Sequence, residues 1–363
     1  MRLGSANFIA ELSDAKENPV RARSALATVV GAALLTGTAA CGGEAASEPG
    51  DKTIVLYSGR NEALVKPVLD KFAQQTGIEI QVRYGTTAQM AAQLAEEGDR
   101  SPAEAFLAQD AGALGAVNKK GLFAALPAEV TAKVPAKYRA RDGKWVGVTA
   151  RSRVLVYNPN LVAKEDLPAS VFDLTDPKWK GKVAIAPTNA SFQAFVTAVR
   201  VQHGEQKAKE YFAGLKANDV QIRENNIAIV EDVDAGKVPV GLVNHYYLGE
   251  IAKERGTTPE KLTAKLHFFP DGDSGAMVNV SGIGVLNRSG TDPDVRTLVD
   301  YLLGAEAQTY FAQQTYEYPI VAGAPAPAYV PPLDELKVPA IDLNDLGTLE
   351  ASIALIKATG LTP

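Results

Sequence analysis

The chain has very little of the chemistry that builds disulfides and most metal centres. Cys41 is the only cysteine among 363 residues, and there are three histidines. A single thiol excludes an intramolecular disulfide and any cysteine-built zinc or iron–sulfur site. With so few imidazoles, a metal site in this chain must be built mainly from oxygen ligands.

The chain also lacks a large net charge of either sign and, after its N-terminal region, long apolar runs. The net charge is −5 and the 37 basic residues are dispersed, so the sequence offers no basic patch for nucleic acid. From Asp51 onward no apolar segment is long enough to cross a bilayer. The sequence contains no nucleophile elbow, phosphate-binding glycine loop or catalytic carboxylate pair, so we expect no enzyme.

Residues 1–41 have the pattern of an export signal. Basic residues at 21 and 23 precede an uncharged stretch, 24–40, which is too short to span a bilayer and ends in small residues before Cys41. The pattern resembles a bacterial lipoprotein signal, in which Cys41 becomes the lipidated first residue, with Thr38 in place of the usual Leu. The alternative is a buried apolar helix that contains a chance cysteine.

The residues around this signal refine its boundaries. Acidic residues before Val20 fit no basic n-region, which indicates a translation start near Val20. Residues 42–51 are rich in small residues and predict a flexible linker. We therefore expect an extracytoplasmic protein that is attached to the bacterial cell membrane by a lipid and has no membrane-spanning helix.

The mature chain is predicted to form two α/β lobes. About 310 residues exceed the length that one hydrophobic core usually holds. Strands alternate with amphipathic helices, and ligands of such sheets bind beyond the carboxyl ends of the strands. The predicted strands are 53–57, 78–84, 103–108, 153–157, 183–186 and 238–243, and the predicted helices are 62–76, 88–97, one that ends at 201, and 227–235.

Tyr246 and Tyr247 directly follow the last of these strands and are the most informative pair in the chain. A phenol titrates near pH 10 in water, so it becomes a ligand at neutral pH only when a highly charged cation displaces its proton. Ferric iron is the cation that suits two phenolate oxygens. The alternative is ordinary aromatic packing with the hydroxyls at the surface.

Hydroxyl and amide side chains precede the helix that ends at 201. The segment is Thr188, Asn189, Ala190 and Ser191. Free backbone N–H groups and the positive end of the helix dipole form an anion cradle at such a position. Simple capping of the helix is the alternative explanation for the same residues.

Nine short segments, taken in order and spacing, resemble the ferric-ion substrate-binding proteins of ABC transporters, a transferrin-like group of two-lobed binding proteins. These segments are Leu56–Gly59, Thr76–Ile78, Arg100–Ala103, Arg151–Val154, Asp176–Lys180, Pro187–Thr188, Asn244 with Tyr246 and Tyr247, Asp273–Ala276, and Glu317–Pro319. The resemblance implies the type 2 periplasmic-binding-protein fold, with a ligand cleft between two lobes that close about hinge strands near Arg151 and Met277. Lobe one would comprise 52–151 and 277–327, and lobe two 152–276 and 328–363.

The resemblance also implies roles for individual residues. Tyr246 and Tyr247 correspond to the two ferric phenolate ligands of the family. The cradle 188–191 corresponds to its synergistic-anion site. The polar positions that line the same cleft correspond to Arg151, Asn226 and Asn244.

This chain departs from the family at three ligand positions. Asn61 stands where many members have a histidine, Gln109 where they have a glutamate, and Phe192 where others have a third tyrosine. Iron(III) with two phenolates keeps a positive charge and open coordination positions, which is costly inside a closing cleft. Tyr84 and Asp110 are the candidate replacements within lobe one, although Asp110 also suits a helix cap.

An exogenous anion is the stronger candidate for the open positions. Arg60, Arg151 and the cradle 188–191 offer cationic and N–H donors suited to carbonate, phosphate or citrate. For Arg153 we expect a salt bridge at the hinge, and for His245 a packing or surface role instead of coordination.

The predicted function is that of a monomeric, lipid-anchored receptor that binds ferric iron with an anion and delivers it to an ABC permease and its ATPase. Two alternatives remain. One is a metal-free carboxylate or phosphonate bound by Arg60 and Arg151 in a receptor of the same kind. The other is a metallohydrolase that uses the tyrosines as acid and anion stabiliser, for which the sequence offers no base at a motif position.

Overall fold

The structure is a computed structural model that describes residues 53–362. The predicted signal sequence 1–41 with Cys41, and the predicted linker 42–51, lie outside the described residues. Within the described part of the chain, no helix is both long and apolar enough to cross a membrane.

Over residues 53–362, ten strands form one sheet that has two halves. The order across the sheet is β2-β1-β3-β9-β4-β7-β5-β6, and β8 and β10 also pair with β4. The strands are β1 (Thr53–Ser58), β2 (Glu79–Tyr84), β3 (Ala105–Ala108), β4 (Trp145–Tyr157), β5 (Val183–Ile185), β6 (Gln221–Ile222), β7 (Val240–Asn244), β8 (Lys265–His267), β9 (Val278–Val285) and β10 (Tyr318–Pro319).

Helices cover the sheet, as the alternating sequence pattern predicts. The longest helix continues to Ala217, beyond the predicted end at 201. Gly204, with φ 83° and ψ 163°, divides it into two helical stretches. The helices are α1 (Glu62–Thr76), α2 (Thr87–Glu97), α3 (Ala111–Lys119), α4 (Ala128–Thr131), α5 (Ala190–Ala217), α6 (Asn226–Asp234), α7 (Tyr246–Glu254), α8 (Pro293–Leu302), α9 (Ala305–Gln314) and α10 (Leu349–Ala358).

The first half of the sheet brings two loops to one edge. β1 pairs in parallel with β2 and β3, so the carboxyl ends of these strands point the same way. Arg60 follows β1, and Gln109 and Asp110 follow β3. α1 begins at Glu62, and the preceding Asn61 caps it because its side chain accepts a hydrogen bond from the Ala63 N–H, at 3.0 Å.

The second half of the sheet repeats this arrangement. β5 pairs in parallel with β7, and β7 pairs antiparallel with β4. The carboxyl end of β5 leads through Pro187 to the start of α5, and the carboxyl end of β7 leads to the start of α7. Two helix N-termini, one of which carries the tyrosine pair, therefore lie at the same edge.

β4 connects the two halves. Its thirteen residues are all buried, and its partner changes from β9, which pairs as far as Ser152, to β7, which pairs from Arg153. Only the end of β4, 153–157, reads as a strand in the sequence, because Thr149, Arg151 and Ser152 interrupt the hydrophobic run before it. Arg151 and Ser152 lie next to the junction of the two halves.

The hydrophobic core is divided in the same way. One cluster packs on the first half of the sheet and includes Phe72 of α1 and Phe106 of β3. Two clusters pack on opposite faces of the second half, since alternate residues of β4 enter different clusters, Leu155 in one and Val156 in the other.

The C-terminal segment contributes to both halves, which differs from the predicted assignment of all of 328–363 to lobe two. Val330, Leu343 and Leu346 belong to the core cluster of the first half. Ile356 and Leu361 belong to a cluster of the second half. A local hydrophobic pattern does not show which of two cores a late segment joins. We propose that 328–346 belongs to lobe one and α10 to lobe two.

Candidate functional site

The tyrosine pair lies in the first turn of α7, immediately after β7. The Tyr246 and Tyr247 rings are 4.1 Å apart between centroids and inclined by 31°. Both side chains are buried, with 1% and 7% exposure. The alternative, ordinary aromatic packing with the hydroxyls at the surface, does not fit this burial.

Burial keeps both phenols protonated at neutral pH. Desolvation raises the pKa of Tyr246 well above 10, and the nearby Tyr247 and Glu250 raise it further. Desolvation and Glu250 also raise the pKa of Tyr247, against hydrogen bonds with Tyr246 and Asn226 that lower it. Two adjacent buried phenols ionise together only if a strongly charged cation compensates their charge.

Two arginines and one glutamate form a buried ion cluster beside the tyrosines. Arg60 Nη2 lies 2.7 Å from Glu317 Oε2, and Arg151 Nη1 lies 3.7 Å from Glu317 Oε1. All three side chains are at most 1% exposed. Burial alone would lower the pKa of Arg60, but Glu317 and the two tyrosines raise it overall. Burial, partly offset by Glu317, lowers the pKa of Arg151.

The arginine cluster differs from the sequence prediction, which left both cations available to an anion. One carboxylate lies between the two guanidinium groups, so their charge is already partly neutralised. Arg151 also donates a hydrogen bond to the Gln109 backbone oxygen. The Arg151 Nε and Nη1 atoms and Glu317 Oε1 nevertheless lack hydrogen-bond partners among the described residues.

The segment 188–191 both caps α5 and faces polar groups of the site. Asn189 Oδ1 accepts hydrogen bonds from the Ser191 N–H at 3.0 Å and the Ser191 hydroxyl at 2.7 Å. The capping alternative is thus realised by Asn189. Ser191 Oγ in turn accepts hydrogen bonds from Asn226 Nδ2 at 3.3 Å and from Arg153 Nη1 at 3.4 Å.

Two asparagines and a threonine lie near Ser191 at this part of the site, and one of them has an unpaired polar atom. Asn226 is fully buried, and its Oδ1 atom has no hydrogen-bond partner among residues 53–362. Asn244, which is 5% exposed, ends β7 and pairs with Arg153 in the sheet register. Thr188 is exposed, and its backbone oxygen accepts a hydrogen bond from Gln193.

The predicted hinge salt bridge of Arg153 is wrong. No carboxylate of the described residues lies within ion-pair distance of Arg153, and burial lowers its pKa to about 10. The guanidinium group instead lies 5.4 Å from the Phe192 ring centroid and 5.2 Å from that of Phe195, and it donates to the Leu242 oxygen at 3.0 Å. Phe192 is therefore a core residue that supports a buried cation.

The candidate ligands of lobe one are used for other purposes. Asn61 is exposed and caps α1, and Asp110 caps α3 by accepting from the Ala113 N–H at 2.9 Å. Tyr84 is half-buried, and desolvation followed by Glu62 and Asp70 of α1 raises its pKa to about 12.

The two residues after β3 are closer to the ion cluster. Burial raises the pKa of Asp110, whereas the charge of Arg151 lowers it. Gln109 contacts Arg151 through its backbone oxygen. Gln109 and Asp110 thus border the ion cluster, whereas the side chains of Asn61 and Tyr84 form no hydrogen bond or ion pair with it among the described residues.

His245 has the packing role expected from the sequence. Its Nδ1 accepts a hydrogen bond from the Ser152 N–H at 3.2 Å, and its Nε2 donates to the Tyr316 oxygen at 2.9 Å. The ring packs 4.5 Å from that of Tyr318, and desolvation lowers the pKa of His245 to about 3. A neutral imidazole with both nitrogens engaged has no lone pair free for a metal.

Sequence reasoning missed two carboxylates of the site, the half-buried Glu250 and the fully buried Glu317. Glu250 follows Tyr246 by four residues and Tyr247 by three, so helical periodicity alone places it on their face of α7. Its Oε1 atom is buried and without a hydrogen-bond partner in the described part of the chain. Glu317 belongs to a short segment that the resemblance includes, but nothing local connects it with Arg60.

Among the described residues, no group of three or more His, Cys, Asp or Glu side chains is arranged to hold a metal ion. The fold and the site together define a two-lobed α/β binding protein with a buried polar site where the two halves of its sheet meet. The chain belongs to the family of bacterial extracellular solute-binding proteins, whose sequence profile matches residues 82–344.

Individual relatives make the resemblance more specific. An Fe(3+)-binding periplasmic protein of Serratia marcescens is 34% identical over 323 residues, which cover 89% of this chain and 94% of the relative. Iron-bound HitA from Pseudomonas aeruginosa is similar in structure, with a TM-score of 0.80, 35% identity, and coverage of 85% of this chain and 99% of HitA.

A third relative was solved with an anion. The Trichodesmium protein IdiA (FutA), in complex with iron and citrate, has a TM-score of 0.72 and 29% identity, and the match covers 85% of this chain and all of that one. The predicted resemblance to ferric-ion-binding proteins and the predicted two-lobed periplasmic-binding-protein fold are confirmed by these matches.

Proposed function

We propose that this protein binds ferric iron through Tyr246 and Tyr247 and serves as the receptor of an ABC importer for iron. The observation that carries the proposal is the pair of buried phenols in ring contact, 4.1 Å apart, at the start of α7. Their raised pKa values make them poor ligands for weakly charged cations and suit them to a trivalent ion that displaces both protons. The relatives named for Fe(3+) binding and iron-bound HitA support the same assignment.

A synergistic anion completes the coordination of the iron. Asn61, Gln109 and Phe192 stand where the family resemblance implies a histidine, a glutamate and a tyrosine ligand, so open positions remain on the metal. The start of α5 carries the positive end of the helix dipole next to Ser191 and the buried Asn226, a setting that suits carbonate, phosphate or citrate. The iron and citrate complex of the Trichodesmium relative supports an anion of this class.

Delivery and anchoring follow from the same assignment. The protein acts outside the cytoplasm as a monomer, is attached to the membrane through a lipid on Cys41, and transfers its iron to an ABC permease driven by an ATPase. A receptor of this kind performs no catalysis. The metal-free alternative, an organic anion held by Arg60 and Arg151, is less favoured because Glu317 already pairs with both arginines.

Iron titration followed by visible absorbance tests the proposal. Phenolate-to-iron charge transfer gives a visible band that neither a protonated phenol nor a bound organic anion produces. Tyr246→Phe and Tyr247→Phe each remove one phenolate and keep the ring, so each variant should lose most of the band and at least tenfold in iron affinity, at roughly a 1.4 kcal/mol cost per factor of ten.

A matched control is Tyr301→Phe, which removes a buried hydroxyl from a tyrosine that packs against Phe72 on the first half of the sheet. This control should retain both the band and the affinity. An unchanged band in the Tyr246 or Tyr247 variant would exclude that residue as a ligand, and the absence of any band in the unaltered protein would exclude the ferric proposal.

A further inference from the structure

The ion cluster of Arg60, Arg151 and Glu317 has one more positive than negative group. Two guanidinium groups, from Arg60 and Arg151, share the single carboxylate of Glu317, at 2.7 Å and 3.7 Å. The three side chains are nearly inaccessible to water, so their charges are weakly screened. The cluster therefore keeps about one positive charge next to the tyrosine pair, where two would remain without the glutamate.

The position of Glu317 is fixed by contacts with the helix that carries the tyrosines. Tyr316, the preceding residue, has a positive φ of 58°, which is unusual for a residue other than glycine. Its backbone oxygen accepts a hydrogen bond from His245, at 2.9 Å. Its ring packs so closely on Gly249 of α7 that a Cβ there would lie 2.4 Å away. Such a backbone conformation persists only where the surrounding structure holds it.

Building on the proposed ferric function, we propose that Glu317 is a built-in counter-anion that sets how strongly iron binding depends on an external anion. It positions and neutralises Arg60 and Arg151, so these arginines hold an internal carboxylate and the external anion binds at the start of α5. Ferric iron with two phenolates carries a net charge of +1, and Glu317 reduces the repulsion between this charge and the arginines. The residue thus lets the site accept iron at low anion concentration.

Charge-changing variants at this cluster should shift the anion dependence in opposite directions. Glu317→Gln leaves two positive charges, which repel the iron complex and attract an anion. Arg60→Gln leaves Arg151 and Glu317 as a pair without net charge, which repels the iron complex less and attracts an anion less. For one unit charge within about 10 Å at an effective dielectric constant of about 20, each shift should be roughly tenfold.

The measurement is iron affinity from the visible band, in bicarbonate-free buffer and after bicarbonate is restored. The ratio of the iron affinity with bicarbonate to the iron affinity without it should rise roughly tenfold in Glu317→Gln. The same ratio should fall roughly tenfold in Arg60→Gln. The double variant, which restores the net charge, should return close to the unaltered ratio. Glu335→Gln, at an exposed site, should leave the ratio unchanged.

Each outcome supports or overturns the inference. A ratio that is the same in all variants, or that moves in the same direction in both single variants, overturns it, because a merely structural glutamate would lower both affinities together. If Glu317→Gln does not fold, the sign of the Arg60→Gln shift still decides. A missing band in the unaltered protein would count against the ferric function, whereas a normal band with unshifted ratios would count against the role of Glu317 alone.

Discussion

Replacing Glu250 by Gln tests whether the carboxyl group below the tyrosine pair is buried in its protonated form. Burial and the neighbouring Glu317 raise the pKa of Glu250 from an ordinary value of 4.5 to about 8, and Arg60 acts in the opposite direction. The Oε1 atom is inaccessible to water and has no hydrogen-bond partner among the described residues. An ionised carboxylate in such a place is costly.

The sign of the pH dependence follows from which state holds the proton. Between pH 4.5 and about pH 8 the folded protein keeps the Glu250 proton that the unfolded chain releases. Stability falls with rising pH wherever the folded state binds more protons, so this group destabilises the protein progressively across that window. Above the window the loss reaches at most about 5 kcal/mol, at about 1.4 kcal/mol for each pKa unit. Well below pH 4.5 Glu250 is protonated in both the folded and the unfolded state, so it makes the free energy of unfolding no lower.

Urea unfolding of the iron-free protein at a series of pH values measures this effect. The glutamine in Glu250→Gln cannot titrate, so the variant should gain stability relative to the unaltered protein as the pH rises from about 5 to about 9. Glu254→Gln is the matched control, because Glu254 lies one turn further along α7 and is exposed. A constant difference between the Glu250 variant and the unaltered protein across this range would refute the buried, protonated carboxyl group.

Two further changes test other parts of the structure. Gly249→Ala places a methyl group 2.4 Å from the Tyr316 ring, so thermal melting should show a loss of about 1–3 kcal/mol, and an unchanged melting temperature would contradict the close packing described. Cys41→Ser should move the protein from the membrane fraction to the soluble fraction of the native host and remove the lipid from its intact mass. A membrane-bound serine variant would contradict lipid anchoring through Cys41.

Local features of this site were readable from the sequence. Asn61, Asp110 and Asn189 precede helical patterns, and each caps its helix in the structure. Capping depends on residues two or three positions away, so sequence order contains the needed information. The adjacency of Tyr246 and Tyr247 similarly made a two-phenol site visible without any knowledge of the fold.

Glu250 could also have been found, because its spacing from the tyrosines is helical. The sequence did not reveal that α7 begins at Tyr246. The apolar run before the pair reads as a strand and does not show where a helix begins. The roles of the arginines were beyond local reasoning. Arg153 is set apart from a surface arginine by residues distant in the chain, the Phe192 and Phe195 rings and the Leu242 oxygen that surround it.

The sequence by itself determined the α/β alternation, the helix caps, the tyrosine pair and the resemblance to ferric-ion-binding proteins, because each depends on side-chain chemistry at short separations. The tertiary structure decided the electrostatics of the site. Arg60 and Glu317 are 257 residues apart in the chain. Glu317 lies beside Arg151 because β10, which begins one residue after Glu317, pairs with β4. Burial then determines which charges are paired and which phenols stay protonated, and burial is a property of the folded chain.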